Sequence, residues 1–375
     1  VWGSEIYANA NRFGRYQSYG SVQVFNNLGA KASGYVQDGW DWNRVPGTTA
    51  IYLPFEKLEA PQETLSEKND SRFPGVSSLE GKNGCLAFTY TEGDHKNFCK
   101  GATATKSVFC FDNRLVFVGT GISNNSDYPT ATTLYQFNVQ DTETPIYIDG
   151  SYDYKFPYSE TFKSDKNVVL SDCFENIYII PEGKGSRGVT IEKRHQITPS
   201  NTNQKTGEGD FISAYIDHGT SPQNDSYEYL MLVKPSGKEM RKYSKNLPYD
   251  VLRADNEAHV VRDKITGITG YVCYKEYCSD GGLVERVAAE TIVMERTKED
   301  GNIVMSVCTP DLGIENKGYF SWDHSKSITK EITLNGTYGL VADYENVSIR
   351  VENGKTYIRA YCQHGQPTEF TLKTL

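Results

Sequence analysis

Two stretches near the start of the chain gather side chains that could do chemistry together. The first is Trp2-Gly3-Ser4-Glu5-Ile6-Tyr7, followed by Asn11-Arg12-Phe13-Gly14-Arg15-Tyr16-Gln17-Ser18. The second is Gly39-Trp40-Asp41-Trp42-Asn43-Arg44-Val45-Pro46-Gly47-Thr48-Thr49. Trp and Tyr offer flat apolar faces with polar edges, which suits the C–H faces and hydroxyls of sugar rings. Arginine forks meet carboxylate or sulfate bidentately, and Asn supplies both a donor and an acceptor. The candidate contacts are therefore Arg12, Arg15, Tyr16, Trp40, Trp42, Asn43 and Arg44. Pro46-Gly47 is a turn that sets the approach of a strand beginning near Thr49. The same chemistry admits a second reading: Trp40 and Trp42 share one side of a strand and could both belong to a core.

Composition bounds what such a cleft could face. The chain has 375 residues and a formal charge of −9, so it offers no broad surface to nucleic acid. A polyanion would have to meet a local basic patch. Residues 1–55 carry Arg12, Arg15, Lys31 and Arg44 against Glu5, Asp38 and Asp41, which gives 4 − 3 = +1 within a strongly negative whole. No run approaches the roughly 18 apolar residues of a membrane span. The eight Cys form no C-x-x-C pair, and several sit inside apolar runs such as Ser107–Phe111, so buried free thiols are expected. Cys273 and Cys278 could bridge only if they flank a hairpin. No two His show metal-ligand spacing, and His195 and His218 read as structural. Asn124-Asn125-Ser126-Asp127 reads as a solvated loop. Asp/Asn-rich stretches of this kind could bind a divalent cation (Ca or Mg), which the sequence does not show, and no cofactor is required.

The elements that must position these residues are strands. Ser21–Phe25, Val168–Leu170, Ile177–Ile180, Tyr229–Val233 and Thr356–Tyr361 are short, β-branched or aromatic, and bounded by turn residues. Asp149-Gly150, Asp300-Gly301, Asn335-Gly336 and Asn353-Gly354 are hairpin signals. No stretch sustains a 3.6-residue period, and one helical turn is predicted near Lys238–Lys245. Loops are predicted over 59–83, 199–209 and 234–249. The class is all-β, in stacked antiparallel sheets. A boundary shortly after the third loop gives a large domain over 1–260 and a smaller one over 261–375.

Trp40-Asp41-Trp42-Asn43-Arg44-x-Pro46-Gly47-Thr48-Thr49 resembles the segment that opens the β-domain core of polysaccharide lyase family 8, the chondroitin and hyaluronate lyases. Ser4-Glu5-Ile6-Tyr7 with Asn11-Arg12-x-Gly14-Arg15-Tyr16-Gln17-Ser18 is similar to the chondroitin ABC lyases within it. Phe111–Gly119, Glu192–Gln196, Ile216–Gly219, Tyr227–Tyr229 and Thr309–Leu312 match in the family's order. The resemblance implies a large antiparallel β-sandwich, the supersandwich, followed by a smaller C-terminal β-sandwich domain. It implies β-elimination: a base takes the C5 proton of a uronic acid, the C4–O bond breaks, and an unsaturated uronate remains. In the family the His, Tyr and Arg that do this lie on a helical toroid, which has no counterpart here. The chain begins at Val1 without Met or an apolar leader, which is read as a start within a longer protein.

The one catalytic position the resemblance assigns here is Glu5, a carboxylate that would orient the catalytic Arg and help set the Tyr pKa. The implied partners are a sulfated glycosaminoglycan of chondroitin or dermatan type and the upstream helical domain. The implied setting is a monomer in the periplasm or secreted, and these 375 residues alone would be inactive. Competing readings are a stand-alone carbohydrate-binding module and a hydrolase with paired carboxylates.

Overall fold

The computed structural model describes residues 5–6, 13–58, 67–68, 73, 75–93, 98–199, 206–311 and 325–375. The chain divides into two compact units, one of residues 1–71, 89–106 and 117–246, the other of 72–88, 107–116 and 247–375. Three strands, Asn83–Thr91, Thr103–Phe111 and Arg114–Ser123, run through the division, so each unit owns part of each.

The first unit is built on two antiparallel sheets. One runs Tyr158–Phe162, Val189–Pro199, Thr206–Thr220, Pro129–Val139, Thr49–Ile51. The other begins Ser151–Asp153, Ile146–Ile148, Val168–Ser171, Ile177–Ile180, Asp225–Leu232 and continues into the unit's portions of the three shared strands. Pro129–Val139 is buried along almost its whole length, its polar Thr132, Thr133 and Gln136 included. Phe117 stacks on Tyr229 at 4.2 Å between ring centroids, and both are buried. Gly119 has to be glycine, because a Cβ there would stand 2.1 Å from the Tyr227 ring. The ladder between Thr206–Thr220 and Pro129–Val139 slips at Ala214/Tyr215. Such an irregularity re-aims the side chain beside it.

The second unit pairs a seven-stranded sheet with a five-stranded one. The first runs Tyr249–Ala254, Ala258–Asp263, Thr269–Cys273, Thr291–Thr297, Ile303–Cys308, Thr368–Thr374, Tyr338–Leu340. The second runs Tyr277–Cys278, Val284–Val287, Ile328–Asn335, Lys355–Cys362, Val347–Glu352. Their inward positions, among them Val260, Tyr271, Met305, Ile332, Ile358 and Phe370, make one apolar core.

Local signals are met at several points. Asp149-Gly150 and Asn353-Gly354 close two-residue hairpins with positive φ at both residues. The helical turn is the helix Gly237–Tyr243, started by a capping box between Ser236 and Glu239. The segment 59–83 is not all loop, since Gly75–Leu79 is a strand paired with Asn83–Thr91. All eight Cys are free; Cys273 and Cys278 belong to different sheets and flank no hairpin.

Candidate functional site

Glu5 lies in the two-residue strand Glu5–Ile6, which pairs antiparallel with Glu67–Lys68, Glu5 opposite Lys68. That strand runs against the 3-10 turn Arg15–Ser18. Arg12 lies outside the described residues. The other residues named from the sequence gather in the first unit, and the structure buries all of them.

Arg15 is fully buried. Its Nη2 is 3.2 Å from Glu92 Oε1, which also accepts a hydrogen bond from the Tyr19 hydroxyl at 3.0 Å. The second oxygen of Glu92 accepts the Cys99 N–H at 2.7 Å. The Arg15 guanidinium lies over the Phe98 ring at 4.4 Å, and the Tyr16 hydroxyl donates to the Ile51 carbonyl at 2.8 Å. Burial pushes the phenols of Tyr16, Tyr19 and Tyr90 upward, so none is poised to lose its proton. This cluster is a buried, paired polar plug around the Arg15–Ser18 turn, which the Glu5 strand contacts.

Arg44 stands between two rings. Its guanidinium carbon is 3.6 Å from the Tyr215 ring centroid and 4.4 Å from that of Tyr52. The Tyr52 hydroxyl donates to Asp41 Oδ2 at 2.9 Å, and Arg194 Nη2 reaches both Asp41 Oδ2 and the Tyr52 hydroxyl at 3.2 Å. Arg194 Nε is 3.4 Å from Glu192 Oε2, and Tyr215 donates its hydroxyl to Glu192 Oε1 at 3.1 Å. The ring Arg44–Tyr52–Arg194–Glu192–Tyr215 therefore closes on itself. Burial and the Asp41 carboxylate push Tyr52 up to about 12.

Trp40 and Trp42 are 2% and 0% exposed. Trp40 packs edge-on against Tyr35 and Phe211, and neither indole N–H has a hydrogen-bond partner among the described residues. The Asn43 side chain clasps the Leu53 backbone, giving to its carbonyl at 2.9 Å and taking its N–H at 3.0 Å. Gln136 binds the backbone of Asp41 and Arg44. Beneath both stretches, buried Lys106 donates to the carbonyls of Gly20 and Gly47, and burial lowers its pKa to about 7. Sequence reasoning treated these aromatic and Arg faces as open to a ligand. The structure turns them inward and leaves Arg194, Tyr52, Tyr215 and Glu192 as the half-exposed rim.

Glu92, Lys106, Arg194 and Tyr215 were missed. Only the alternation Glu192-x-Arg194 on one strand face hinted at them. His218 is buried between Thr132 Oγ1 and Asp225 Oδ2, each at 2.8 Å. His195 is exposed, with Nδ1 2.8 Å from Asp210, whose hydrogen bond raises its pKa. The Asn124 side chain bonds Thr130 and the Ser126 N–H. Among the described residues no group of three His, Cys, Asp or Glu side chains is arranged to hold a metal.

Comparison with known proteins adds family context. A family model described as the polysaccharide lyase family 8 super-sandwich domain matches residues 1–244. A chondroitin sulfate ABC endolyase of Proteus vulgaris is 33% identical over 383 residues, covering 100% of this chain and 36% of that protein. A chondroitin sulfate ABC exolyase of Bacteroides thetaiotaomicron is 28% identical, over 100% of this chain and 38% of its own length. The chain thus spans little more than a third of these relatives. Among solved structures, a chondroitinase AC lyase has a TM-score of 0.71 at 20% identity over 96% of this chain and 48% of its own. A Paenibacillus xanthan lyase has a TM-score of 0.72 at 18% identity over 89% and 31%. These two show a shared fold.

Proposed function

Because the chain belongs to polysaccharide lyase family 8, we propose that it is the β-sheet part of an ABC-type lyase cleaving chondroitin and dermatan sulfate by β-elimination. The observation that carries this is the alignment of the whole chain with a chondroitin sulfate ABC endolyase. In the proposed reaction the uronate carboxylate is neutralised, a base takes the C5 proton, and an acid protonates the leaving C4 oxygen. Glu5 is our candidate for the carboxylate that orients the cationic group and holds the acid's proton in place. The Glu5 strand lies against the Arg15–Ser18 turn, which the buried Arg15–Glu92 pair anchors. Arg15, Tyr16, Trp40, Trp42, Asn43 and Arg44 then support the cleft wall from within, and Arg12 is the proposed contact to substrate.

We place the base and the acid in the upstream helical region of a longer protein, and we propose that the enzyme works in the periplasm or outside the cell, as a monomer. The chemistry as written calls for no metal. The test is ultraviolet absorbance of the unsaturated uronate when the full-length protein meets chondroitin sulfate. Chain cleavage without that absorbance would mean hydrolysis, and retention of the polymer without any product would mean a binding module.

A further inference from the structure

Arg44 is an unusual buried cation. It is 6% exposed, it sits between the Tyr52 and Tyr215 rings, and among the described residues it forms no ion pair. Its Nε has no hydrogen-bond partner there. Aromatic faces attract a guanidinium, but they do not replace the hydrogen bonds it loses on leaving water. The neighbouring carboxylates are engaged elsewhere. Asp41 takes Tyr52 and Arg194; Glu192 takes Tyr215 and Arg194.

Arg194 occupies the open side of the same ring of contacts. Its side chain is 38% exposed; Nη2 serves Asp41 and Tyr52, and Nε lies 3.4 Å from Glu192 in an ion pair without a hydrogen bond. Its Nη1 takes no hydrogen bond or ion pair among the described residues. Tyr52 joins the two cations, since Arg44 lies on its ring and Arg194 holds its hydroxyl. The ladder slip at Ala214/Tyr215 sits where the second ring is aimed at Arg44. Two guanidiniums therefore share one tyrosine, Arg44 desolvated with its unpaired Nε buried, and Arg194 half-exposed with Nη1 left over. Two carboxylates balance them in charge, so the place is not a general basic patch that would hold any polyanion. It suits one oxyanion group delivered at a fixed position.

We propose that Arg194, held by Tyr52 beside the buried Arg44, forms a subsite for a single oxyanion substituent of the polysaccharide, a sulfate ester or a uronate carboxylate. The proposal rests on the lyase reading above and names what one part of its wall recognises. Planar forks bind either group through paired N–H donors. The contact is at the half-exposed rim, so it weakens with salt.

The experiment compares the full-length enzyme with Arg194→Gln, on sulfated chondroitin and on chemically desulfated chondroitin. Arg194 is half-exposed, and buried Asp41 keeps the Asn43 N–H and the Tyr52 hydroxyl when the shorter Gln replaces it, so folding should survive; an unchanged melting temperature checks this. The expected result is a rise in KM of at least about tenfold at low salt, with kcat largely kept, as for loss of a charge-assisted contact. A rise confined to sulfated polymer assigns the sulfate ester. An equal rise on both polymers assigns the uronate carboxylate. Tyr215→Phe keeps the ring under Arg44 and frees Glu192, which can then draw Arg194 inward; a smaller KM rise is expected. If KM is unchanged for Arg194→Gln on both polymers while the parent enzyme makes product, the subsite is refuted and the lyase reading stands. If the parent enzyme makes no unsaturated product from either polymer, the lyase reading itself fails.

Discussion

At the scale of single residues, buried charges mark where the molecule is under electrostatic demand. Lys106 is one, and its effect on stability has a definite sign. Burial lowers its pKa from 10.5 in water to about 7 in the folded chain. A neutral amine still donates two hydrogen bonds, enough for the Gly20 and Gly47 carbonyls. Between these two values the unfolded chain binds a proton that the folded chain does not. Stability from this residue is therefore complete above about pH 10.5 and lost as pH falls towards 7. The slope is at most about 1.4 kcal/mol per pH unit. Chemical denaturation of the chain and of Lys106→Met across that range should show the parent gaining on the variant as pH rises, and parallel curves would refute it. Glu5 carries a second prediction at this scale. In the full-length enzyme Glu5→Gln keeps the shape and removes the charge, so kcat should fall by about 10²-fold, as for loss of a positioned acid–base or electrostatic partner, with KM changed less. An unaltered kcat would remove Glu5 from the reaction. Residue types were legible in the sequence, but their direction was not. Trp42 in a cleft and Trp42 in a core are spelled alike, and what decides between them lies far along the chain. Arg15 finds Glu92 77 residues on, and Asp41 finds Arg194 153 residues on.

At the scale of elements, the turns were the clearest text. Asp149-Gly150 and Asn353-Gly354 could be read directly, because left-handed φ at two successive positions restricts the choice of residue. Gly75–Leu79 was hidden in a polar run because its five residues, Gly-Val-Ser-Ser-Leu, carry little β-branched or aromatic signal; its pairing with Asn83–Thr91 makes it a strand. The order of strands within each sheet was not legible at all, since it depends on contacts between segments distant in sequence. One element is tested sharply by a single methyl group. Gly119 sits within the strand Arg114–Ser123, with the Tyr227 ring where its Cβ would be. Tyr227 is itself buried and stacks with Tyr229, so the ring has little room to retreat. Gly119→Ala should destabilise the chain by about 1–3 kcal/mol, the range for overpacking a filled core. Urea denaturation measures it, and a loss below about 0.5 kcal/mol would show that the ring moves aside.

At the scale of the whole molecule, the question is what these 375 residues can do by themselves. Each unit has its own buried apolar interior, one around Phe117, Phe211 and Tyr229, the other around Val260, Met305 and Phe370. That much burial supports folding without further chain. The polar groups within reach of chemistry tell a different story. The described His residues each have a partner: His218 has Thr132 and Asp225, His195 has Asp210, His364 has Ser325, and His259 has Ser107, with burial lowering the His259 pKa to about 3. The tyrosines beside the candidate cleft have their phenols pushed up by burial, away from the range of an effective base. On the proposed reading the described residues supply a wall with arginines and a carboxylate, whereas β-elimination also needs a proton acceptor at C5 and a donor at the leaving oxygen. Expressed alone, it should therefore unfold cooperatively on heating and bind chondroitin sulfate weakly, with salt-sensitive affinity. It should release no unsaturated product. The measurement is ultraviolet absorbance over a long incubation, run beside the full-length enzyme. Turnover by the chain alone at an enzyme's ordinary rate would place an acid–base pair within these residues and overturn the proposed division of labour. A chain that is folded, binding and inert would mean that the sheet part contributes recognition and orientation and leaves the proton transfers to the rest of the enzyme.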